Sequence, residues 1–159
     1  MTNVMTVKNI SNNVQALLSD MKNASNTGLF VTVQPSPEKD NQIFAGFPSA
    51  THFYHDTENG YATVSQNRRV LEYHVYFYVI SNEDEDVKWT RTTDMMDAIV
   101  DMFDHSIDLS SAALSLPPAC DIMRPAGGRI TKTTGTAYGE GLVGEVILYC
   151  EADITFRDA

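Results

Sequence analysis

Two long segments with strand-like patterns restrict what this chain can fold into more than any other feature of its sequence. From Val143 to Arg157, apolar residues occupy every second position, and most of the residues between them are polar or charged. This alternation predicts a strand with one buried and one solvated face, which is typical of antiparallel sheets. From Arg69 to Ser81 both faces carry apolar residues. We therefore expect a central strand that is covered on both sides.

Two other segments have apolar residues at spacings of three and four, the pattern of an amphipathic helix. The first runs from Val7 to Met21, and the following Asn26-Thr27-Gly28 resembles a helix C-terminus. The second runs from Thr92 to Ile107, with Thr93 or Asp94 as the predicted N-cap. The apolar stripe of the second helix is predicted to contain Met95, Ile99, Met102, Phe103 and Ile107.

Shorter segments predict the remaining strands. Residues 29–34 form a short strand-like run. Residues 50–55 and 61–65 are predicted to pair as a hairpin, because Asn59-Gly60 is a strong turn signal. The weaker strand candidates are residues 119–123 and 129–134. The chain is therefore predicted to be α+β, with a mostly antiparallel β-sheet and two main amphipathic helices packed against it.

Length and composition predict a single domain that spans residues 1–159. Of the 159 residues, 43% are hydrophobic and 20% charged, which suffices to bury a core without a cross-link. Cys120 and Cys150 are expected to be free thiols. The N-terminus lacks a basic start followed by an apolar segment, so we expect a soluble, intracellular protein without a secretory signal. Mobile loops are predicted around residues 35–48, 83–91 and 124–142.

No set of residues predicts catalysis or metal binding. His52, His55 and Asp56 lie close together, but on a strand the two histidines would point to opposite faces, so we expect a surface hairpin. Gly139-Glu140-Gly141 resembles a fragment of a phosphate loop, yet a strand rather than a helix follows it. The sequence contains no serine nucleophile elbow and no kinase motif. We therefore expect no enzyme activity, no catalytic residue, no metal and no cofactor.

Negative charge is concentrated in one part of the chain. The whole chain carries a net charge of −10, of which −7 falls within residues 83–108. This acidity argues against binding to nucleic acid phosphates as the main function. The acidic residues of the segment are Glu83, Asp84, Glu85, Asp86, Asp94, Asp97, Asp101, Asp104 and Asp108. Those from Asp94 to Asp108 repeat at spacings of three and four, which predicts one acidic helix face.

Residues 124–136, by contrast, contain basic residues and no acid. The basic residues are Arg124, Arg129 and Lys132. Two interpretations of this charge pattern stay open. The acidic segment is either a solvated helix face with an acidic loop, or a surface for assembly and for repelling DNA. In the second case, the acidic surface would partly line a lumen and partly pair head-to-tail with the basic loop of a neighbouring copy.

Five segments together define a characteristic order of elements. They are the helix Val7–Met21, the strand Arg69–Ser81, the acidic helix Asp94–Ile107, the Gly-containing segment Gly135–Gly141 and the strand Val143–Phe156. In this order the chain resembles the tail terminator (tail-completion) proteins of long-tailed bacteriophages. The resemblance covers most of the chain and is an overall pattern rather than a signature motif.

The resemblance implies a small α+β virion protein that forms a homo-oligomeric, hexameric ring. Such a ring caps the tail tube and joins it to the head, so the implied partners are tail-tube and neck proteins. DNA would pass through the lumen without specific binding, and no membrane would be involved. The implied location is the head-proximal end of the tail in the virion, and the host cytoplasm during assembly.

Other functions remain alternatives at this point. A neck or head-completion protein would have similar size and composition. A binding module with a groove for a small ligand or peptide would be unrelated to virions, and a small hydrolase is a third class. Ring assembly predicts a large exposed sheet edge, whereas a binding module predicts a closed apolar pocket.

Overall fold

The computed structural model describes residues 5–35, 46–54, 64–65, 68–136 and 139–153 of the chain. These residues form two α-helices and a mostly antiparallel sheet, which confirms the predicted α+β class. The elements are α1 (Val7–Asp20), β1 (Thr32–Pro35), β2 (Ser49–Tyr54), β3 (Val64–Ser65), β4 (Arg68–Ile80), α2 (Glu85–Asp104), β5 (Ile122–Thr136) and β6 (Gly139–Asp153). Across the described residues, neither helix is both long and apolar enough to cross a bilayer.

Five strands lie side by side in the order β1-β2-β4-β6-β5, and the short β3 also pairs with β4. β1 is parallel to β2, and the other pairings are antiparallel. The two long strands expected from the alternation are present as β4 and β6, and they pair with each other at the centre of the sheet. This central pair sets the position of every other element.

The predicted hairpin between residues 50–55 and 61–65 is wrong. β2 pairs with β4 from Ser49 opposite Tyr78 to Tyr54 opposite Tyr73, and β3 pairs with the beginning of β4. Because β1 and β4 pair with the two edges of β2, no edge of β2 is left for β3. The Asn59-Gly60 turn lies outside the described residues.

Both helices pack on the same face of the sheet. α1 contacts β1 and β2, whereas α2 contacts β4, β5 and β6. The core between the helices and the sheet includes Tyr73, Phe77 and Leu148, which are fully buried. Val146 is buried beside Leu148, as the alternation along the last strand predicts. The end of that predicted strand, residues 154–157, lies outside the described residues.

A buried asparagine ties α1 to the segment that follows α2. Asn13 lies within the apolar stripe of α1 and is 5% exposed. Its Nδ2 donates to the carbonyl oxygen of Leu109 at 3.0 Å and to that of Pro117 at 2.7 Å. Carbonyl groups in an irregular, partly buried segment need donors from elsewhere, and Asn13 supplies two of them.

The opposite face of the sheet is not covered by either helix. We call it the outer sheet face. Its half-buried or partly exposed apolar and aromatic members are Phe53, Val70, Tyr76, Tyr78, Ile80, Val143, Ile147 and Tyr149. The expectation that the central strand is covered on both sides is therefore met in part: no described helix covers this face of β4, yet its side chains are buried or half-buried. Both helices already contact the other face, and their apolar stripes are used there.

Residues 83–91 are not the predicted loop, because α2 begins at Glu85 rather than at Thr92. Asp84 is the N-cap, and acidic residues in the first turn interact favourably with the helix dipole. Thr92 lies inside the helix, where its Oγ1 donates to the carbonyl oxygen of Lys88 at 2.7 Å. The helix ends at Asp104, so Ile107 is 61% exposed instead of completing the apolar stripe.

The segment 124–142 is also not a loop, because most of it belongs to β5 and β6. The Gly and Thr content of β5 lowers its local strand preference, but pairing with β6 overrides that preference. The register shifts between Gly127 and Ile130, where β5 carries extra residues opposite β6, the pattern of a β-bulge. Of the third predicted loop, 35–48, residues 36–45 lie outside the described residues.

Candidate functional site

The acidic residues of α2 are divided between two environments. Asp94, Asp97, Asp101 and Asp104 are exposed and share the outer side of the helix, as their spacing predicts. Asp108 is not part of this surface. It lies beyond the end of α2, where its Oδ1 accepts hydrogen bonds from the backbone N–H and the hydroxyl of Ser110. We call the four exposed residues the acidic helix face.

The acidic residues before and at the start of α2 have local roles. Glu83 pairs with Arg91 at 2.6 Å between carboxylate and guanidinium. Asp84 occupies the N-cap position without a side-chain hydrogen bond to the helix, and Glu85 lies in the first turn. Glu85 Oε2 is also 3.2 Å from Lys132 Nζ on β5. These residues therefore stabilise the start of α2 and its contact with β5.

The three predicted basic residues lie along β5, the strand at one end of the sheet. Arg124 is 3.8 Å from Glu151 on the neighbouring strand, and Lys132 pairs with Glu85. Arg129 is exposed at the bulge, and no acid of the described part of the chain forms an ion pair with it. Two of the three cations that were expected to bind a neighbouring copy thus already have a partner in their own chain.

A groove that the sequence analysis missed lies beside the N-terminal half of α2. It has a volume of about 890 Å³ and is open to solvent. Three distant parts of the chain form it: residues 22–29 after α1, Pro48 before β2, and α2 itself. Its apolar lining includes Leu29, Pro48, Val87 and Met95, and its charged lining consists of Lys22, Asp86, Arg91 and Asp94. No single segment carries a periodic signal for such a site.

Aromatic side chains cluster at the centre of the outer sheet face. The ring of Phe53 is 5.0 Å from that of Tyr76 in an edge-on arrangement and 5.8 Å from that of His74. His74 Nε2 is 3.0 Å from Glu72 Oε1, and its Nδ1 is 3.8 Å from Glu145 Oε2. Edge-on aromatic contacts favour a fixed arrangement of the rings. The cluster therefore gives this face a rigid, mixed apolar and polar centre.

His52 lies inside the core rather than on a surface hairpin, so that expectation is wrong. The side chain is fully buried. Gln15 Nε2 donates to the carbonyl oxygen of Val33 at 2.8 Å, which turns Gln15 Oε1 towards His52 Nε2 at 2.6 Å. An amide oxygen only accepts, so His52 Nε2 donates and Nδ1 accepts from the Tyr73 hydroxyl at 2.6 Å.

This buried network fixes the protonation of its members. Burial lowers the pKa of His52 to about 4 and is the main reason that the pKa of Tyr73 is raised to about 12. Both groups are therefore neutral near pH 7, and the network holds α1 against the sheet. His55 and Asp56 lie outside the described residues, and within the described residues no group of three His, Cys, Asp or Glu side chains is placed to hold a metal ion.

Cys120 and Cys150 are free and buried next to each other in the core. A hydrogen bond with Cys120, together with burial, raises the pKa of Cys150 well above its usual value. A thiol with a raised pKa is a poor nucleophile.

Comparison with family models finds none that matches this chain, and a search of the curated proteins finds no match.

Proposed function

We propose that this protein is a structural virion component of a long-tailed bacteriophage: a homo-oligomeric ring that terminates the tail tube and joins it to the neck. The outer sheet face carries this proposal. Apolar and aromatic side chains extend over three strands of that face, and neither helix covers them. Burial of apolar surface is favourable by about 25 cal/mol per Å², so contact with another protein would stabilise this face.

The distribution of charge supports the same function. The acidic helix face is exposed, and the chain as a whole carries a net charge of −10. An acidic surface that lined the lumen of the ring would repel DNA phosphates, so DNA could pass without being bound. The hexameric stoichiometry and the location at the head-proximal end of the tail come from the family resemblance. If the ring lay in the neck rather than at the end of the tail tube, the protein would be a neck or head-completion protein.

Incubation with purified tail tubes, followed by electron microscopy, tests the proposed function. We expect a ring of added density at one end of each tube. Ile147→Glu, which places a charge on the outer sheet face, should weaken tube association at least about tenfold, a difference of about 1.4 kcal/mol. Ala113→Glu is the control, since Ala113 is exposed and belongs to the segment after α2 rather than to a strand of the sheet. Circular dichroism checks that both variants fold.

A wild-type protein that stays monomeric and never associates with tubes would contradict the proposed function. So would an Ile147→Glu variant that folds and binds tubes as well as the wild type does. In that case the outer sheet face would not be the surface on which assembly depends.

Charge reversal should change the rate of assembly more than its extent. Arg129 is exposed and has no ion pair within the described residues, so Arg129→Glu removes a cation that is available to a neighbouring copy. Exposed ion pairs contribute only about 0–1 kcal/mol each, so rings should still form. Light scattering at several salt concentrations should show slower assembly with a weaker salt dependence. Lys8→Glu, on the exposed side of α1, is the control, and complete loss of rings would contradict this prediction.

The groove beside α2 favours a second candidate, a module that binds an apolar peptide. Its volume of about 890 Å³ falls within the range of ligand sites, although it is not the closed pocket that a binding module predicts. A monomer that ignores tubes but binds an apolar fluorescent probe saturably would favour this candidate. Val87→Glu, at an exposed position in the lining of the groove, should then abolish probe binding.

A further inference from the structure

The two ends of the sheet are different, and within the described residues neither edge strand has a second partner strand. β1 is hydrogen-bonded to β2, β5 is hydrogen-bonded to β6, and no other described strand pairs with either. The edge strand β5 has 15 residues. An edge strand presents a row of backbone N–H and C=O groups that can pair with another strand.

We propose that β5 of one copy pairs with β1 of the next, so that the sheets of successive copies join head-to-tail around the ring. This inference rests on the proposed ring function. The contact joins two different edges, which is the kind of contact that closes a ring when its rotation fits a whole number of copies. The outer sheet face and the strand edges are separate surfaces, so the two contacts are compatible.

The directions of the strands fit this contact. β1 and β2 run in one direction, β4 runs in the opposite direction, β6 runs with β2, and β5 again runs opposite to β1. If the sheet continues from one copy to the next, β5 therefore meets β1 in an antiparallel arrangement. Antiparallel pairing is the slightly more stable form of the two.

The lengths of the regular segments also match. Register shifts interrupt β5 between Gly127 and Ile130 and again between Thr133 and Thr136, which leaves Ile130–Thr133 as a regular four-residue segment. The segment before the bulge contains Pro125, which has no N–H to donate. β1 also has four residues, of which Pro35 has no N–H and Val33 has a carbonyl oxygen that already accepts from Gln15. Ile130–Thr133 is therefore the part of β5 that pairs with β1.

Charge argues against the alternative in which two β5 strands pair with each other. β5 contains Arg124, Arg129 and Lys132 and no acid, so two such strands would bring six cations along one seam, and the two Arg129 side chains among them have no described ion pair. Like charges across paired strands are destabilising. β1 carries no charged residue, so its pairing with β5 has no such cost.

Cysteine cross-linking tests the contact. Thr131 and Gln34 both lie on the outer side of the sheet, since Thr131 is opposite Val143 and Gln34 is next to Thr51. In the double variant Thr131→Cys/Gln34→Cys, mild oxidation should link successive copies into a ladder of covalent oligomers, on tail tubes and in concentrated solution. The native cysteines are buried and should not compete. Denaturing gels without reductant measure the ladder.

The matched control moves one cysteine by a single residue. Lys132 lies on the helix side of the sheet, where it pairs with Glu85, so its side chain points away from Gln34 of a joined sheet. Lys132→Cys/Gln34→Cys should therefore cross-link at least about tenfold more slowly, because the two thiols lack a high effective concentration.

The possible outcomes distinguish the strand pairing from the proposed ring function. The strand pairing is overturned if the protein binds tubes but forms no disulfide between positions 34 and 131. It is also overturned if the protein binds tubes and the single variant Thr131→Cys cross-links by itself. Both results leave the ring function standing. Cross-linked ladders in a protein that never binds tubes support the strand pairing and overturn the tail function. Monomers without cross-links at the highest protein concentration, in a protein that also ignores tubes, overturn both.

Discussion

Gly144→Ala should lower the free energy of unfolding by roughly 3 kcal/mol, the upper end of the range for an added methyl group in a tightly packed core. Gly144 lies opposite Phe77 in the pairing of β6 with β4. A Cβ atom at Gly144 would overlap the ring of Phe77, which is fully buried. Because Phe77 belongs to the buried core, its ring can move aside only if neighbouring core side chains move too. Urea denaturation followed by circular dichroism measures the loss.

Two further variants separate this clash from the general cost of replacing glycine. Gly28→Ala places its Cβ 3.6 Å from the nearest heavy atom, an ordinary contact, so it should change stability by less than about 0.5 kcal/mol. Phe77→Leu should lower stability on its own but should make Gly144→Ala less costly in the double variant. Additive losses in the double variant would show that the Phe77 ring is not the obstacle.

Stability should fall by about 3 kcal/mol as the pH is lowered from 6.5 to about 4, because of His52. Burial lowers the pKa of His52 to about 4 in the folded protein, while the unfolded chain has the usual value of 6.5. Between these two values the unfolded chain binds a proton that the folded protein does not. The contribution of neutral His52 is therefore complete above pH 6.5 and is lost as the pH falls towards 4.

The comparison with His52→Gln isolates this contribution from those of other titrating groups. Glutamine can keep hydrogen bonds to Gln15 and Tyr73 but does not titrate. The variant should be less stable at pH 7, and the difference from the wild type should shrink as the pH falls. Thermal or urea unfolding at half-unit steps of pH measures it. A constant difference from pH 7 to pH 4 would contradict a neutral, buried His52.

The sequence predicts the central strands because the apolar pattern is a consequence of burial itself. β4 and β6 are long enough for alternation to stand out, and the face of each strand follows from the period of two. The period of two also places Val146 and Leu148 on the buried face of β6, where the structure has them. It could not show that the second face of β4 lacks a helix, because that depends on where both helices dock.

Other elements were missed for identifiable physical reasons. The acidic residues from Glu83 to Asp86 look like a loop by composition, yet an aspartate followed by acids in the first turn is also a signal for the start of a helix. β5 is predicted only in part, as the weak strand candidates 119–123 and 129–134 beside a loop, because local preference is weak; its pairing with β6 makes it one strand. The spacing of His52 and His55 predicts that they point to opposite faces of a strand. It does not predict which of the two faces is buried, so the burial of His52 was missed.

The hydrogen bonds of Asn13 have a consequence for the order in which the chain folds. They join α1 to carbonyl groups that are 96 and 104 residues further along the chain. Contacts at such a separation form late, because a long stretch of chain must first be closed. On the ribosome, α1 emerges first and can pack against β1 and β2, but Asn13 has no partner for these hydrogen bonds until the segment after α2 has been synthesised. The first helix of the sequence therefore completes its contacts only after most of the chain has been made.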